Sequence, residues 1–207
     1  MDALRLMTQA PLRTVRPMML RNVYANPDKE LARLCNQGYL VQLARGTYLV
    51  KPDTVPTTQA WAPPLEVAAM AYATAAYHPD TPVLYGISAA RHWHAIPRAI
   101  GVAIVAVPRP HRPVVLHTGG RVEFTVRSVS LLDSQPVDTV VGLMRVTTPE
   151  QTLVDLVAWP QLGGMPEQAI QAATQIIPQV DAGQLEQLLE RQPATVTRRV
   201  HAVLKEP

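Results

Sequence analysis

The sequence predicts an α+β protein in two parts, and three observations carry that expectation. A short capped helix beginning at Asn26 runs straight into two apolar β runs joined by Arg45-Gly46. A break with four prolines covers residues 52–64. Beyond it, β-branched runs alternate with helical patterns and then give way to helices alone. The expected organisation is a small domain over residues 1–51, a linker over 52–64, and a mixed α/β domain with a helical C-terminal tail over 65–207.

In the first part, Asn26 suits a helix N-cap and Pro27 the first turn. Leu31, Leu34 and Cys35 fall at i, i+3 and i+4 and form one apolar stripe. Lys29, Arg33, Asn36 and Gln37 lie on another face, and Gly38 ends the helix. Tyr39–Ala44 and Thr47–Val50 read as a tight hairpin with a basic tip. Two further helices are expected ahead of this one. The first covers residues 2–8, with Leu4 and Met7 inward. The second starts at Pro17, with Met19, Leu20 and Val23 apolar. Three helices followed by a hairpin outline a winged helix-turn-helix, whose last helix enters the DNA major groove. The DNA-binding candidates are Lys29, Arg33, Asn36, Gln37 and the tip residue Arg45. The plainer reading is a helix–hairpin unit packed on something larger, its charges merely solvated.

Proline excludes a regular helix from 52–64, so that stretch reads as a linker, pinned to one domain by Trp61. A helix follows Pro64, with Leu65, Ala69, Tyr72 and Ala76 on one side. Thr81–Tyr85 reads as a strand, and Ser88 as the cap of a helix running to Ala95. The unbroken run 102–107 reads as a central strand buried on both faces. Val114–His117 is a further strand. In 121–127, Val122, Phe124 and Val126 alternate with polar residues, as in a half-buried strand. Thr139–Val146 reads as one more strand. Thr148-Pro149 opens a helix, with Gln151 completing a capping box. Leu153, Leu156 and Val157 face inward, and Asp155 is expected to be exposed. Helical segments at 166–177, 182–191 and 194–204 complete the chain.

Hydrophobic residues make up 47% and charged residues 17%, which suits a chain with a real core rather than a disordered one. No run of 18 apolar residues is present, so no transmembrane helix is expected. Arg5, Arg13 and Arg16 interrupt any signal-peptide core, which places the protein in the cytoplasm. The single cysteine, Cys35, excludes an internal disulfide and a Cys-rich zinc site. Residues 1–60 carry 8 Lys and Arg against 4 Asp and Glu; residues 128–207 carry 5 against 9. A basic front and an acidic back suggest an anionic partner at one end and a different partner at the other.

Three stretches carry a family resemblance. LARGTYLV (43–50) looks like a winged-helix end, GISAARHWHAIP (86–97) like a second-domain turn and helix, and RVTTPEQTLVDL (145–156) like a helix start. In this order the chain resembles the AbiEi-type antitoxins, regulators of bacterial toxin–antitoxin pairs whose toxin is a nucleotidyltransferase. The resemblance implies that the N-terminal domain binds promoter DNA as an autorepressor and that the C-terminal domain neutralises the cognate toxin. Length and the Ala, Arg and Pro bias look closest to a mycobacterial member described as an atypical serine protein kinase that phosphorylates its toxin. That likeness implies ATP and Mg as cofactors. A plain winged-helix regulator is the third alternative.

The residues themselves offer a kinase little. No glycine-rich phosphate loop is present, and the three lysines are Lys29, Lys51 and Lys205. The catalytic candidates are Asp133 and Asp138 for a metal or base, with Arg145 on phosphate. The plainer reading of the two aspartates is as loop residues before a strand. In the loop PRPHRP, Arg109, His111 and Arg112 read equally as a contact to phosphate or to a partner and as a solvated loop. His92 and His94 read as packed residues, because i and i+2 on a helix point apart, and no metal site is expected.

Overall fold

A computed structural model describes residues 3–79 and 81–205. Asp2, which opens the first expected helix, lies outside them, as do Glu206 and Pro207 of the tail. The N-terminal unit consists of α1 (Ala3–Thr8), β1 (Thr14–Val15), a 3-10 turn (Pro17–Leu20), α2 (Pro27–Asn36), β2 (Leu40–Ala44) and β3 (Thr47–Val50). Its antiparallel sheet has the order β1-β3-β2. The Asn26 side chain accepts from the Lys29 amide at 3.1 Å and starts α2 as its sequence requires. Gly38, at φ +78°, ends it, and the Tyr39 amide turns back to the Leu34 carbonyl at 3.0 Å. A Cβ at Gly38 would stand 2.1 Å from the Thr57 carbonyl oxygen, so only glycine lets residues 52–64 pass there.

Two expectations for this unit fail. Leu4 is exposed, and α1, six residues long, buries only Met7. The segment at Pro17 forms a 3-10 turn, not an α-helix. Its three-residue repeat directs Leu20 into the core and leaves Met18 and Met19 outside.

The small sheet is apolar on both faces, by the two-residue period of a strand. Leu40, Tyr48 and Val50 pack with Leu20, Leu31 and Leu34 beneath α2. Leu43 and Leu49 face the other way and, with Leu12, join the core of the second domain. The His117 amide donates to the Leu43 carbonyl at 2.8 Å and fixes the hairpin to that domain. Residues 52–64 contain no helix or strand. Lys51, buried at their start, donates to the Gln59 carbonyl at 2.6 Å, and Arg13 grips Asp53 with two bonds of 2.8 and 3.1 Å. Trp61 packs on the second core.

The second domain follows as α3 (Leu65–Ala76), β4 (Val83–Leu84), α4 (Gly86–His92), β5 (Val102–Val107), β6 (Val114–Val115), β7 (Arg121–Val126), β8 (Ser134–Thr139) and β9 (Gly142–Thr147). Four helices end it: α5 (Pro149–Ala158), α6 (Pro166–Ile176), α7 (Ala182–Leu189) and α8 (Ala194–Val203). The mixed sheet has the order β6-β7-β5-β4-β9-β8, with β5 parallel to β7 and β4 parallel to β9. All six residues of β5 are buried. Val102, Ile104 and Ala106 face α4–α8, while Ala103, Val105 and Val107 face α3 and the small sheet. Cover on both faces explains its unbroken apolar run.

Three further expectations change here. Residues 139–146 are not one strand: β8 and β9 form a hairpin turning at Val140-Val141, an apolar turn that hides in the sequence. Ser88 lies inside α4 and is not its cap; its hydroxyl accepts from the buried Ile104 amide at 2.8 Å. The alternation along β7 fails at its end, where Thr125 is buried and Val126 exposed. The neighbouring β6 pairs only with Arg121 and Val122 and leaves that end uncovered.

Candidate nucleic-acid interface and polar pockets

Lys29, Arg33, Asn36 and Gln37 are all exposed on α2, and Arg45 is exposed at the hairpin tip. Spacings of four, three and one residues put the four on one side of the helix. The apolar stripe lies opposite and anchors the helix to the sheet. Arg33 is braced by an ion pair to Glu30 and by a 2.8 Å bond from its Nη1 to the Gln37 side chain. The Arg33 bond holds the Glu30 carboxyl below its usual range. Cys35 is half-buried, and burial pushes its thiol up to about 11, so it packs rather than reacts.

The loop at 108–113 is held by aromatic rings. His111 stacks 4.4 Å from the Phe124 ring and meets Tyr72 edge-on, and the Tyr77 hydroxyl donates to the Arg109 carbonyl at 2.8 Å. Arg109 and Arg112 remain exposed on it.

Asp133, Asp138 and Arg145 are not brought together. Asp133 precedes β8 and pairs with Arg191 at 2.8 Å. Asp138, five residues along the extended strand and about 16 Å away, lines a different cleft. Arg145 donates to the Ser134 hydroxyl at 2.7 Å, bracing the hairpin. The cleft at Asp138 has a volume of about 400 Å³ and includes Glu66, Arg91, His92 and His94. Glu66 is buried in an ion pair with Arg91. The helix α4 ends at His92, so His94 lies beyond it and both rings reach this one cleft. Burial, with His94 nearby, lowers the His92 pKa and so favours its neutral ring.

A second pocket, of about 320 Å³, is assembled around Asp155. The expectation that Asp155 is exposed is wrong: it is 1% exposed. The helix α5 is covered on this side as well, by Tyr85 and by Leu188 of α7. Asp155 Oδ1 accepts from Gln151 Nε2 at 2.8 Å, while Oδ2 has no partner among the described residues. Burial drives the carboxyl up to about 8, against the pull of Tyr85, Gln151 and Arg127. Arg127 Nε donates to the Tyr85 hydroxyl at 3.0 Å, and its guanidinium lies 4.1 Å from the Trp159 ring centre. Gln151 does not complete a capping box: its side-chain oxygen accepts from the Asp133 amide at 3.3 Å. That Tyr85, Arg127, Asp155 and Trp159 meet in one pocket escaped the sequence reading, which took Asp155 as exposed. Part of a signal was available, since Gln151 and Asp155 are spaced i and i+4 on α5 and Trp159 follows its last residue.

The two second-domain motifs interlock. Trp93 Nε1 donates to the Thr147 carbonyl at 2.8 Å, and the Thr147 and Thr152 hydroxyls lie 2.8 Å apart in the core. Buried Glu150 accepts from the Asp181 amide at 2.8 Å and ties α5 to the start of α7.

The chain is similar in fold to the crystal structure of the Rv2827c protein from Mycobacterium tuberculosis. The TM-score is 0.61 at 21% identity, over 97% of this chain and 75% of that one. No curated protein matches it. No helix among the described residues is long and apolar enough to cross a membrane. The family model of the AbiEi antitoxin C-terminal domain matches residues 83–206, from β4 through α8, and on that match the chain belongs to the AbiEi antitoxin family.

Proposed function

We propose that this antitoxin is a cytoplasmic two-function protein. Its N-terminal unit is a winged helix-turn-helix that binds its own promoter as an autorepressor. The domain from residue 65 onward neutralises a cognate nucleotidyltransferase toxin. The observation that carries the DNA half is the exposed stripe Lys29, Arg33, Asn36 and Gln37 on a helix whose opposite stripe is buried. The order helix, strand, turn, helix, hairpin, with β1 pairing β3, suits that reading. Arg45 at the tip supplies a cation for the DNA backbone, and Arg109 and Arg112 are exposed for a phosphate or a partner.

The test is a paired assay on one variant. Lys29→Ala combined with Arg33→Ala should weaken promoter binding and leave protection from co-expressed toxin intact. Promoter binding equal to that of the unaltered protein at several salt concentrations would remove α2 from the interface. The mass of the co-expressed toxin separates two ways of neutralising it. An unchanged mass assigns neutralisation to binding. One added phosphoryl group assigns it to an atypical serine protein kinase activity that needs ATP and Mg.

A further inference from the structure

We propose that the pocket around Asp155 is a binding site for a small organic anion, a carboxylate or phosphate monoester on an apolar body. Arg127 would be the charge partner and Asp155 Oδ2 a hydrogen-bond donor at the pocket floor. This goes beyond toxin neutralisation and does not depend on it.

Four observations carry the assignment. First, the guanidinium has five N–H donors, and its bonds among the described residues use two: Nε to Tyr85, and Nη1 to the Val126 carbonyl at 2.9 Å. The remaining three belong to a cation held over the Trp159 ring and tied to the Tyr85 hydroxyl, and therefore already positioned. Second, Asp155 Oδ2 is buried in the pocket lining without a partner, where an unsatisfied polar atom costs stability. Burial favours the protonated carboxyl, and in that form Oδ2 carries a hydrogen to give. Third, the local charge is positive: Arg191 is matched by Asp133, whereas Arg127 has no ion-pair partner among the described residues. Fourth, Trp159, Leu132 and Leu188 supply apolar wall, and about 320 Å³ suits a small molecule rather than a bare ion. Apolar walls with a few convergent polar groups are the usual make-up of such sites.

The alternative occupant is a cation seated on an ionised Asp155, and one substitution separates the two. An asparagine amide can still donate to an anion, but it cannot hold a cation. The experiment is calorimetric titration of the full chain with phenyl phosphate, with benzoate, and with benzylamine as the cationic counterpart. Expected are saturable binding of at least one of the two anions and none of benzylamine. The anion should bind Asp155→Asn within about threefold of the unaltered protein, and Arg127→Gln at least about tenfold more weakly. Ser128→Asp, an exposed rim change, should weaken the same anion without disturbing the Arg127 stack, and circular dichroism checks that each variant is folded. Which anion binds distinguishes a carboxylate from a phosphate monoester. Binding of neither anion, unchanged affinity in both folded Arg127→Gln and folded Ser128→Asp, or benzylamine binding abolished by Asp155→Asn would each overturn the assignment.

Discussion

The helices α2 and α5 begin alike and end differently. Each is ten residues long, each opens with a capping side chain followed by proline, and each has an acid in its first turn. Yet α2 keeps its charged side in solvent, whereas α5 buries Glu150, Gln151 and Asp155 as well as Leu153 and Leu156. Start signals are local, so both helices begin where their sequences say. Whether a polar side chain meets water is decided by what packs over it. The small sheet and the 3-10 turn at Pro17–Leu20 pack against one side of α2 and leave the opposite side open. The other helix is covered by α4, α6, α7 and α8, and its polar residues become the partners of other elements.

The largest contrast should come from truncating the core. Leu156→Ala is expected to cost about 2–5 kcal/mol in urea melts, since the side chain is fully buried. The exposed-face change Asn36→Ala should move stability by no more than about 0.5 kcal/mol. Equal losses would erase the distinction between the helices.

Next comes the pH dependence of Asp155. Its carboxyl has an ordinary value of 3.8 and rises to about 8 in the fold. As pH increases, the unfolded chain releases this proton first and the native chain holds it. Stability from this group is therefore complete below about 3.8, is lost as pH rises towards about 8, and levels off above. Asp155→Asn should flatten that fall and stabilise the protein at pH 8 by roughly 1–3 kcal/mol. A slope identical to the unaltered protein would mean that the carboxyl is ionised in place.

The two caps sharpen the likeness. Thr148→Ala and Asn26→Ala should each cost about 1 kcal/mol, because both side chains accept from the third residue of their helices. If Thr148→Ala abolished toxin protection at an unchanged melting temperature, the start of α5 would belong to a working surface. The smallest effect is expected on the open face. Arg33→Ala should leave the melting curve in place and lower the slope of log binding against log salt by about one. A shifted melting temperature with an unchanged slope would make Arg33 a structural brace through Glu30 and Gln37.

What could be read from the sequence follows the same division. The cap and stripe of α2, the hairpin around Gly46, the buried β5 and the starts of the last four helices are short-range patterns, and each was legible. The 3-10 turn at Pro17, the apolar turn at Val140-Val141 and the embedded Ser88 were not. In each, a tertiary partner overrode the local signal, as the Ile104 amide does for Ser88. The exposure of Lys29, Arg33, Asn36, Gln37 and Arg45 was legible because they occupy one helix and one hairpin. The Asp155 pocket draws on β4, the end of β7, α5 and α7, and no window of sequence contains it.

The attachment of the hairpin to the second domain has a mechanical meaning. Leu43 and Leu49 sit in the larger core, and the His117 amide grips the strand at Leu43. The hairpin is thus mounted on a rigid plinth and does not swing on a tether. A swinging head adapts to operator sites of varied spacing and pays an entropic toll each time it settles. A mounted head has already lost that freedom during folding, and on the promoter-binding reading proposed above it would measure a fixed distance and angle along the DNA. Two such heads on one operator would act as callipers. Moving the half-sites by half a helical turn would leave one of them facing the wrong side of the duplex.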